Sequence, residues 1–201
     1  MSSLAEIFAR HGSDKSAHGY ASVYAMLERP SALLEVGVDK GASLRAWAEW
    51  WPGLDIVGLD TFQRGYPAGF APLGNPCIVQ ADSRTFDARR LYSPEKPFPS
   101  LIVDDGSHRP RDQAATLANL WPLLAPGGRY FIEDVLPVDL LGEDHLPPWF
   151  AHPSRREHFT MAAFLELAKL AGSLAARVQR HDFREQSGKP DSVLIELRKP
   201  A

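Results

Sequence analysis

The stretch ALLEVGVDKGASLRAW, residues 32–47, decides how the rest of the chain is read. Its first seven residues are a continuous apolar run with one acid, Glu35, inside it, the pattern of a strand buried on both faces. SLRAWAEWW (43–51) then reads as an amphipathic helix, with Leu44, Trp47, Ala48 and Trp51 along one side. Gly37 and Gly41 lie between strand and helix, where a ligand can approach the backbone and the helix start offers free N–H groups to an anion. A tight strand-to-helix turn needs the same glycines.

Outward from this unit the pattern repeats. LDIVGLD (54–60), NPCIVQAD (75–82), SLIVDD (100–105) and RYFIEDV (129–135) are four further short apolar runs. QAATLANLWPLL (113–124) is helical, and LAPGG (124–128) is its stop signal. Towards the amino terminus, LAEIFARHG (4–12) and YASVYAMLE (20–28) read as two helices, ended by Gly12 and by the Arg29-Pro30 step. Towards the carboxyl terminus, REHFTMAAFLELAKLAG (156–172) reads as a long helix. LAARVQRHDF (174–183) and SVLIELRK (192–199), joined by REQSGKPD, read as an antiparallel hairpin. The expectation is a three-layer α/β fold whose mostly parallel, seven-stranded sheet closes in that hairpin. LPVDLLGEDHLPPWFAHPS (136–154) is too long and Pro-rich for a plain connector. It is expected to form a lid or acceptor wall, with His145, Trp149 and Phe150 towards a substrate.

Bulk properties narrow the function. At 201 residues and 44% hydrophobic content, residues 1–201 are expected to form one domain. A net charge of −3 gives no electrostatic footprint for nucleic acid or an anionic membrane. Cys77 is the only cysteine, so neither an intrachain disulfide nor a cysteine-rich zinc site is possible. MSSLAEIFARHGSDK has charges where a signal peptide needs its apolar stretch, and no apolar run approaches the ~20 residues that cross a bilayer. A cytoplasmic protein is expected.

In parallel α/β sheets, ligands bind beyond the carboxyl ends of the strands. Here every one of the first five strands brings an acid to that rim: Glu35, Asp60, Asp82, Asp104 with Asp105, and Glu133 with Asp134. Asp60 suits the paired hydroxyls of a ribose. Asp82 could accept from an adenine amino group or cap the turn after it. Adjacent carboxylates are costly unless a cation, a hydrogen-bonded ligand or solvent compensates them. Asp105, Glu133 and Asp134 have the hard oxygens that Mg²⁺ or Mn²⁺ prefers. The plainer alternative pairs these acids with Arg109, Arg111 or Lys15. His108, three residues past Asp105, overhangs the same pocket and could act as a general base. The dinucleotide fingerprint G-x-G-x-x-G is broken by Asp39, which weakens an NAD-dependent oxidoreductase reading, and no phosphate-cradling G-x-x-x-x-G-K-[ST] loop is present.

These residues carry a resemblance. HGSDKSAHGYASVY (11–24), LLEVGVDKGASLRAW (33–47), IVGLD, VQAD, IVDDGSH (102–108) and LWPLLAPGGRYFIEDV (120–135) resemble the class I S-adenosylmethionine-dependent methyltransferases. Within that class they resemble the metal-dependent macrolide sugar O-methyltransferases of the mycinamicin and tylosin type. The resemblance implies a Rossmann-like methyltransferase fold, Mg²⁺ or Mn²⁺ held by Asp105, Glu133 and Asp134, and His108 as base. It implies cofactor contacts from Glu35, Gly37, Gly41, Ser43, Asp60, Asp82 and Asp105, with Lys15, His18, Tyr20 and Tyr24 near the methionine end. The expected acceptor is a glycoside or another vicinal diol; a homodimer is compatible with the long helix near 157–172. A metal-independent methyltransferase and a non-catalytic adenosyl-ligand-binding protein are the alternatives. Two departures bear on the acceptor. The macrolide enzymes carry an additional amino-terminal domain, and their aromatic, glycine-rich segment after the E-D pair is replaced here by LPVDLLGEDHLPPWF.

Overall fold

The computed structural model describes residues 2–61, 76–92, 96–136 and 159–201. Seven strands form a single sheet: β1 (Leu33–Val36), β2 (Ile56–Asp60), β3 (Cys77–Gln80), β4 (Leu101–Asp104), β5 (Arg129–Ile132), β6 (Arg177–Asp182) and β7 (Val193–Arg198). Their order across the sheet is β3-β2-β1-β4-β5-β7-β6. The first five are parallel, whereas β7 runs antiparallel to β5 on one side and β6 on the other. The chain moves outward from β1 to β3, then returns to lay β4 against the other side of β1. The gap between the carboxyl ends of β1 and β4 is therefore the topological switch point at which such sheets bind ligands.

Every residue of β1 and β4 is buried, and successive side chains point to opposite faces, so the sheet has a core on both faces. Leu34 and Val36 of β1, Ile102 of β4 and Tyr130 and Ile132 of β5 pack with α4 (Pro110–Leu120) and α5 (Met161–Leu174) through Leu117, Leu120, Phe164 and Leu167. Leu33, Leu101, Val103 and Phe131 face the other way, onto α1 (Leu4–His11), α2 (Ala21–Tyr24) and α3 (Ala42–Trp50). Trp47 of α3 is fully buried there, edge-on to Phe8 at 4.8 Å and to Tyr24 at 5.2 Å between ring centroids. Of the expected stripe, Ala48 is only partly buried.

Local chemistry accounts for the boundaries. α1 starts on a capping box: Ser3 Oγ accepts from the Glu6 N–H at 3.3 Å and Glu6 Oε2 accepts from the Ser3 N–H at 2.7 Å. It stops at Gly12, in the left-handed region at φ 78°. α4 has Pro110 at its first turn, where no N–H is needed. The helix expected over 20–28 is only the four residues of α2, and the turn expected between β6 and β7 contains the short helix α6 (Arg184–Ser187). Among the described residues, no helix is long and apolar enough to cross a membrane.

Candidate active site

The switch point opens into a cleft of about 640 Å³. One wall is the loop between β1 and α3. Gly37 is there at φ 83°, and a Cβ on it would sit 1.8 Å from the carbonyl oxygen of Asp105, so this loop and the tip of β4 can approach only through glycine. Gly41, at φ 71°, precedes α3. The Asp60 carboxylate at the tip of β2 accepts from the N–H groups of Val38 and Asp39, at 2.8 and 3.0 Å, and braces the loop from the side. Gly37, Ser43, Asp60 and Asp82 all line the cleft. Asp82 is also clamped by Arg84, whose Nη2 and Nε approach it at 2.7 and 2.9 Å; these bonds hold its carboxyl below the usual range. Both readings of Asp82 thus keep a footing: it lines the cleft and it organises the turn after β3.

The other wall comes from β4 and β5. Asp105, His108 and Asp134 each offer one ligand atom, and the three atoms lie within 4.8 Å of one another. His108 Nε2 stands 4.0 Å from both Asp105 Oδ1 and Asp134 Oδ2, while its Nδ1 is buried with no hydrogen-bond partner. Among the described residues three non-glycines have positive φ: Asp39 (45°), His108 (58°) and Asp134 (51°). All three line this cleft. Such backbone costs on the order of 1–3 kcal/mol per residue and persists where the surroundings impose it.

Beneath the cleft is a buried charge cluster centred on Lys15, one of the three cations weighed from the sequence as partners for these acids. Glu35, Asp105 and Glu133 share the sheet face of Leu33, Val103 and Phe131, because side chains alternate along a strand. Lys15 enters from the segment between α1 and α2, only 1% exposed. Its Nζ is 2.6 Å from Asp105 Oδ2, 2.7 Å from Glu133 Oε2 and 3.1 Å from Glu35 Oε1. Burial works against its charge, but the three carboxylates outweigh burial and hold its pKa well above the usual lysine range. Glu133, fully buried, also accepts from the Tyr24 hydroxyl. Burial pushes Glu133 up, reinforced by Asp105, Asp134 and Glu35 against the pull of Lys15. Burial raises Glu35 as well, and Trp47 Nε1 donates to it at 3.1 Å.

The expected site residues therefore divide. Asp105, His108 and Asp134 come together; Glu133, expected beside them as a ligand, has its carboxylate on Tyr24 and on Lys15, the lysine that Asp105 also pairs with. Glu35 and Lys15 lie under the cleft rather than in its lining. His18 Nδ1 is 3.3 Å from Asp134 Oδ1 and 3.0 Å from Ser192 Oγ, and the Tyr20 hydroxyl donates to Asp134 Oδ1 at 2.7 Å. Arg109 and Arg111 are not the partners of these acids; of the three cations considered from the sequence, Lys15 is. Asp104, fully buried with its Oδ2 3.3 Å from the Tyr130 hydroxyl, is pushed up to about 7 by burial. His145, Trp149 and Phe150 lie outside the described residues, as does 137–154 of the expected lid.

No known protein-family profile matches the chain. It is 30% identical over 149 residues to the 8-demethyl-8-(2-methoxy-alpha-L-rhamnosyl)-tetracenomycin-C 3'-O-methyltransferase of Streptomyces olivaceus, a match covering 66% of this chain and 36% of that protein. It is 31% identical over 111 residues to the mycinamicin VI 2''-O-methyltransferase of Micromonospora griseorubida, covering 51% of this chain and 27% of the relative. The chain spans about a third of the length of the curated relatives it matches. Among solved structures it is similar to MycE methyltransferase from the mycinamycin biosynthetic pathway in complex with Mg, SAH and mycinamycin VI. The TM-score is 0.64 at 21% identity, over 99% of this chain and 55% of that one. The SAH-bound Podospora anserina methyltransferase PaMTH1 matches at 0.59 and 16% identity, over 100% of this chain and 89% of that chain. The fold is that of the class I S-adenosylmethionine-dependent methyltransferases.

Proposed function

We propose that this chain is an S-adenosylmethionine- and Mg²⁺-dependent O-methyltransferase acting on a hydroxyl of a glycoside or another vicinal diol in the cytoplasm. The observation that carries the reading is the convergence of Asp105, His108 and Asp134 within 4.8 Å, in the same cleft as the glycine loop. The donor set fits the ion: Mg²⁺ is held by one or two carboxylates and keeps several waters. The cleft fits the cofactor: about 640 Å³ falls within the range of small-molecule sites, and Gly37 presents backbone without a side chain. Two relatives support the acceptor class, since their names describe O-methylation of rhamnosyl-bearing tetracenomycins.

When bound, the sulfonium cofactor supplies an activated methyl group and the divalent ion supplies Lewis acidity towards a developing alkoxide. The protein's own residues position and deprotonate the acceptor. His108 takes the hydroxyl proton at Nε2, and Asp105 and Asp134 would hold the divalent ion. Bound S-adenosylmethionine would supply the methyl group to the acceptor oxygen with S-adenosylhomocysteine as the leaving group, and the proton stays on His108. Asp60, at the tip of β2 and lining the cleft, would accept from the ribose hydroxyls.

The test is transfer of labelled methyl to a panel of glycosides bearing vicinal diols, with and without chelator. Turnover is expected to stop in EDTA and return with Mg²⁺ or Mn²⁺. Full turnover in chelator would assign the chain to the metal-independent methyltransferases, and absence of S-adenosylhomocysteine binding would remove the methyltransferase reading altogether.

A further inference from the structure

The two carboxylates facing His108 are each held from behind by the segment that joins α1 to α2. Asp105 gives Oδ2 to Lys15 Nζ at 2.6 Å and presents Oδ1 to the imidazole. Asp134 gives Oδ1 to the Tyr20 hydroxyl at 2.7 Å and presents Oδ2 to the same nitrogen. We infer that Tyr20 is a positioning residue that selects which oxygen of Asp134 faces the metal; this rests on the metal reading proposed above.

Tyr20 holds Asp134 at two points. Besides donating to Oδ1, its oxygen lies 3.2 Å from the Asp134 backbone N–H and accepts from it. That double grip spans a residue at φ 51°, a conformation an aspartate does not keep without support. The hydroxyl has one proton to give, and the carbonyl of Asp191 also lies within 3.2 Å. The carboxylate is nearer and charged, so it is the stronger acceptor. The ring itself cannot swing away. It is 1% exposed and packs against Phe183 at 6.0 Å and His18 at 5.3 Å between centroids. Outer partners of this kind fix ligand orientation, and losing one costs about 10–100-fold in metal affinity. Tyr24 is the internal comparison: its hydroxyl is spent on Glu133, whose carboxylate faces Lys15 rather than the ligand group.

The experiment is a Mn²⁺ titration of the full, metal-free chain read by electron paramagnetic resonance. It compares wild type, Asp134→Asn, Tyr20→Phe and Tyr24→Phe, with the thermal unfolding transition measured on each as a check of folding. Tyr20→Phe is expected to weaken Mn²⁺ binding by about 10-fold or more, with a cooperative unfolding transition retained and the Mn²⁺ affinity of Tyr24→Phe within about threefold of wild type. Wild-type Mn²⁺ affinity in Tyr20→Phe, alongside lost binding in Asp134→Asn, overturns the positioning role and leaves the metal site standing. Equal losses in both tyrosine variants overturn it too, since general packing would then be the cause. No Mn²⁺ binding by wild type, or none lost in Asp134→Asn, removes the metal site itself. A reading independent of variant folding comes from the unmutated chain labelled with 3-fluorotyrosine. The ¹⁹F resonance most broadened by trace Mn²⁺ is expected to shift on adding Mg²⁺; Mn²⁺ binding with no tyrosine resonance moved by Mg²⁺ counts against the inference.

Discussion

His108 combines a strained backbone, at φ 58°, with a side chain facing two carboxylates at 4.0 Å. General bases contribute on the order of 10²–10⁴-fold to rate, so His108→Ala is expected to lower kcat at least ~100-fold. S-adenosylhomocysteine affinity, measured by calorimetry, should stay within about threefold; wild-type kcat would remove the base assignment. His108 and Asp105 were legible because both follow directly on a buried strand, where a charged residue must be at the rim. Lys15 was named in the sequence only as a cofactor residue or as one of three cations able to pair with the acids. Its partners lie 90 and 118 residues away, and no local pattern records a contact of that span. The alternation that carries Glu35, Asp105 and Glu133 to one face was present in the sequence, and it is the signal by which a shared buried cation could have been sought.

At the scale of elements, the contact between the β1–α3 loop and the tip of β4 admits no side chain. Gly37→Ala would place a methyl 1.8 Å from the Asp105 carbonyl and strain a backbone at φ 83°, so the loop must move. The expected result is destabilisation of several kcal/mol, on the order of the worst overpacking cases, with loss of S-adenosylhomocysteine binding; an unchanged melting midpoint would contradict the close approach. The end of β6 gives a milder prediction. Asp182 accepts from Arg184 Nη2 at 2.8 Å and its carboxyl is pulled down to about 2, so its contribution is complete above the unfolded pKa and fades as pH falls towards 2. The pair is half-exposed, which limits its worth to roughly 0.2–1 kcal/mol. Asp182→Asn should lower the melting midpoint slightly at pH 7 and by progressively less as the pH falls to 2. Strands β1, β2, β4 and β5 were readable because a doubly buried strand has almost no polar positions to confuse it with. α2 was overread as nine residues: after Tyr24 the chain closes in tighter three-residue turns, Met26 N–H to the Val23 carbonyl and Leu27 N–H to the Tyr24 carbonyl, instead of continuing the α-helix.

For the whole molecule, the strand order makes a prediction about ligand class. A sheet of order β3-β2-β1-β4-β5-β7-β6 with the cleft at the β1–β4 gap serves adenosyl ligands of several kinds, and the broken glycine fingerprint separates them. S-adenosylhomocysteine at 100 times its Kd is expected to stabilise the chain by about 2.7 kcal/mol and raise the melting midpoint accordingly. NAD at the same concentration should leave it unmoved; the reverse order would favour the oxidoreductase reading. The acidic rim was foreseeable in place but not in partnership. Asp82 takes an arginine two residues on, but Asp60 braces a loop and Glu133 takes a lysine, and those two choices depend on how segments distant in sequence come to rest on one another.

The position of β7 between β5 and β6 also sets an order of events during synthesis. Ser192 meets His18, Phe183 meets Tyr20, and β7 fills the place beside β5, so residues near 180–198 pack on residues near 20. On the ribosome the amino-terminal helices and five parallel strands emerge first, with one edge of β5 still unpaired. That edge is an open template for a foreign strand until residues 193–198 have left the exit tunnel and taken their place along it.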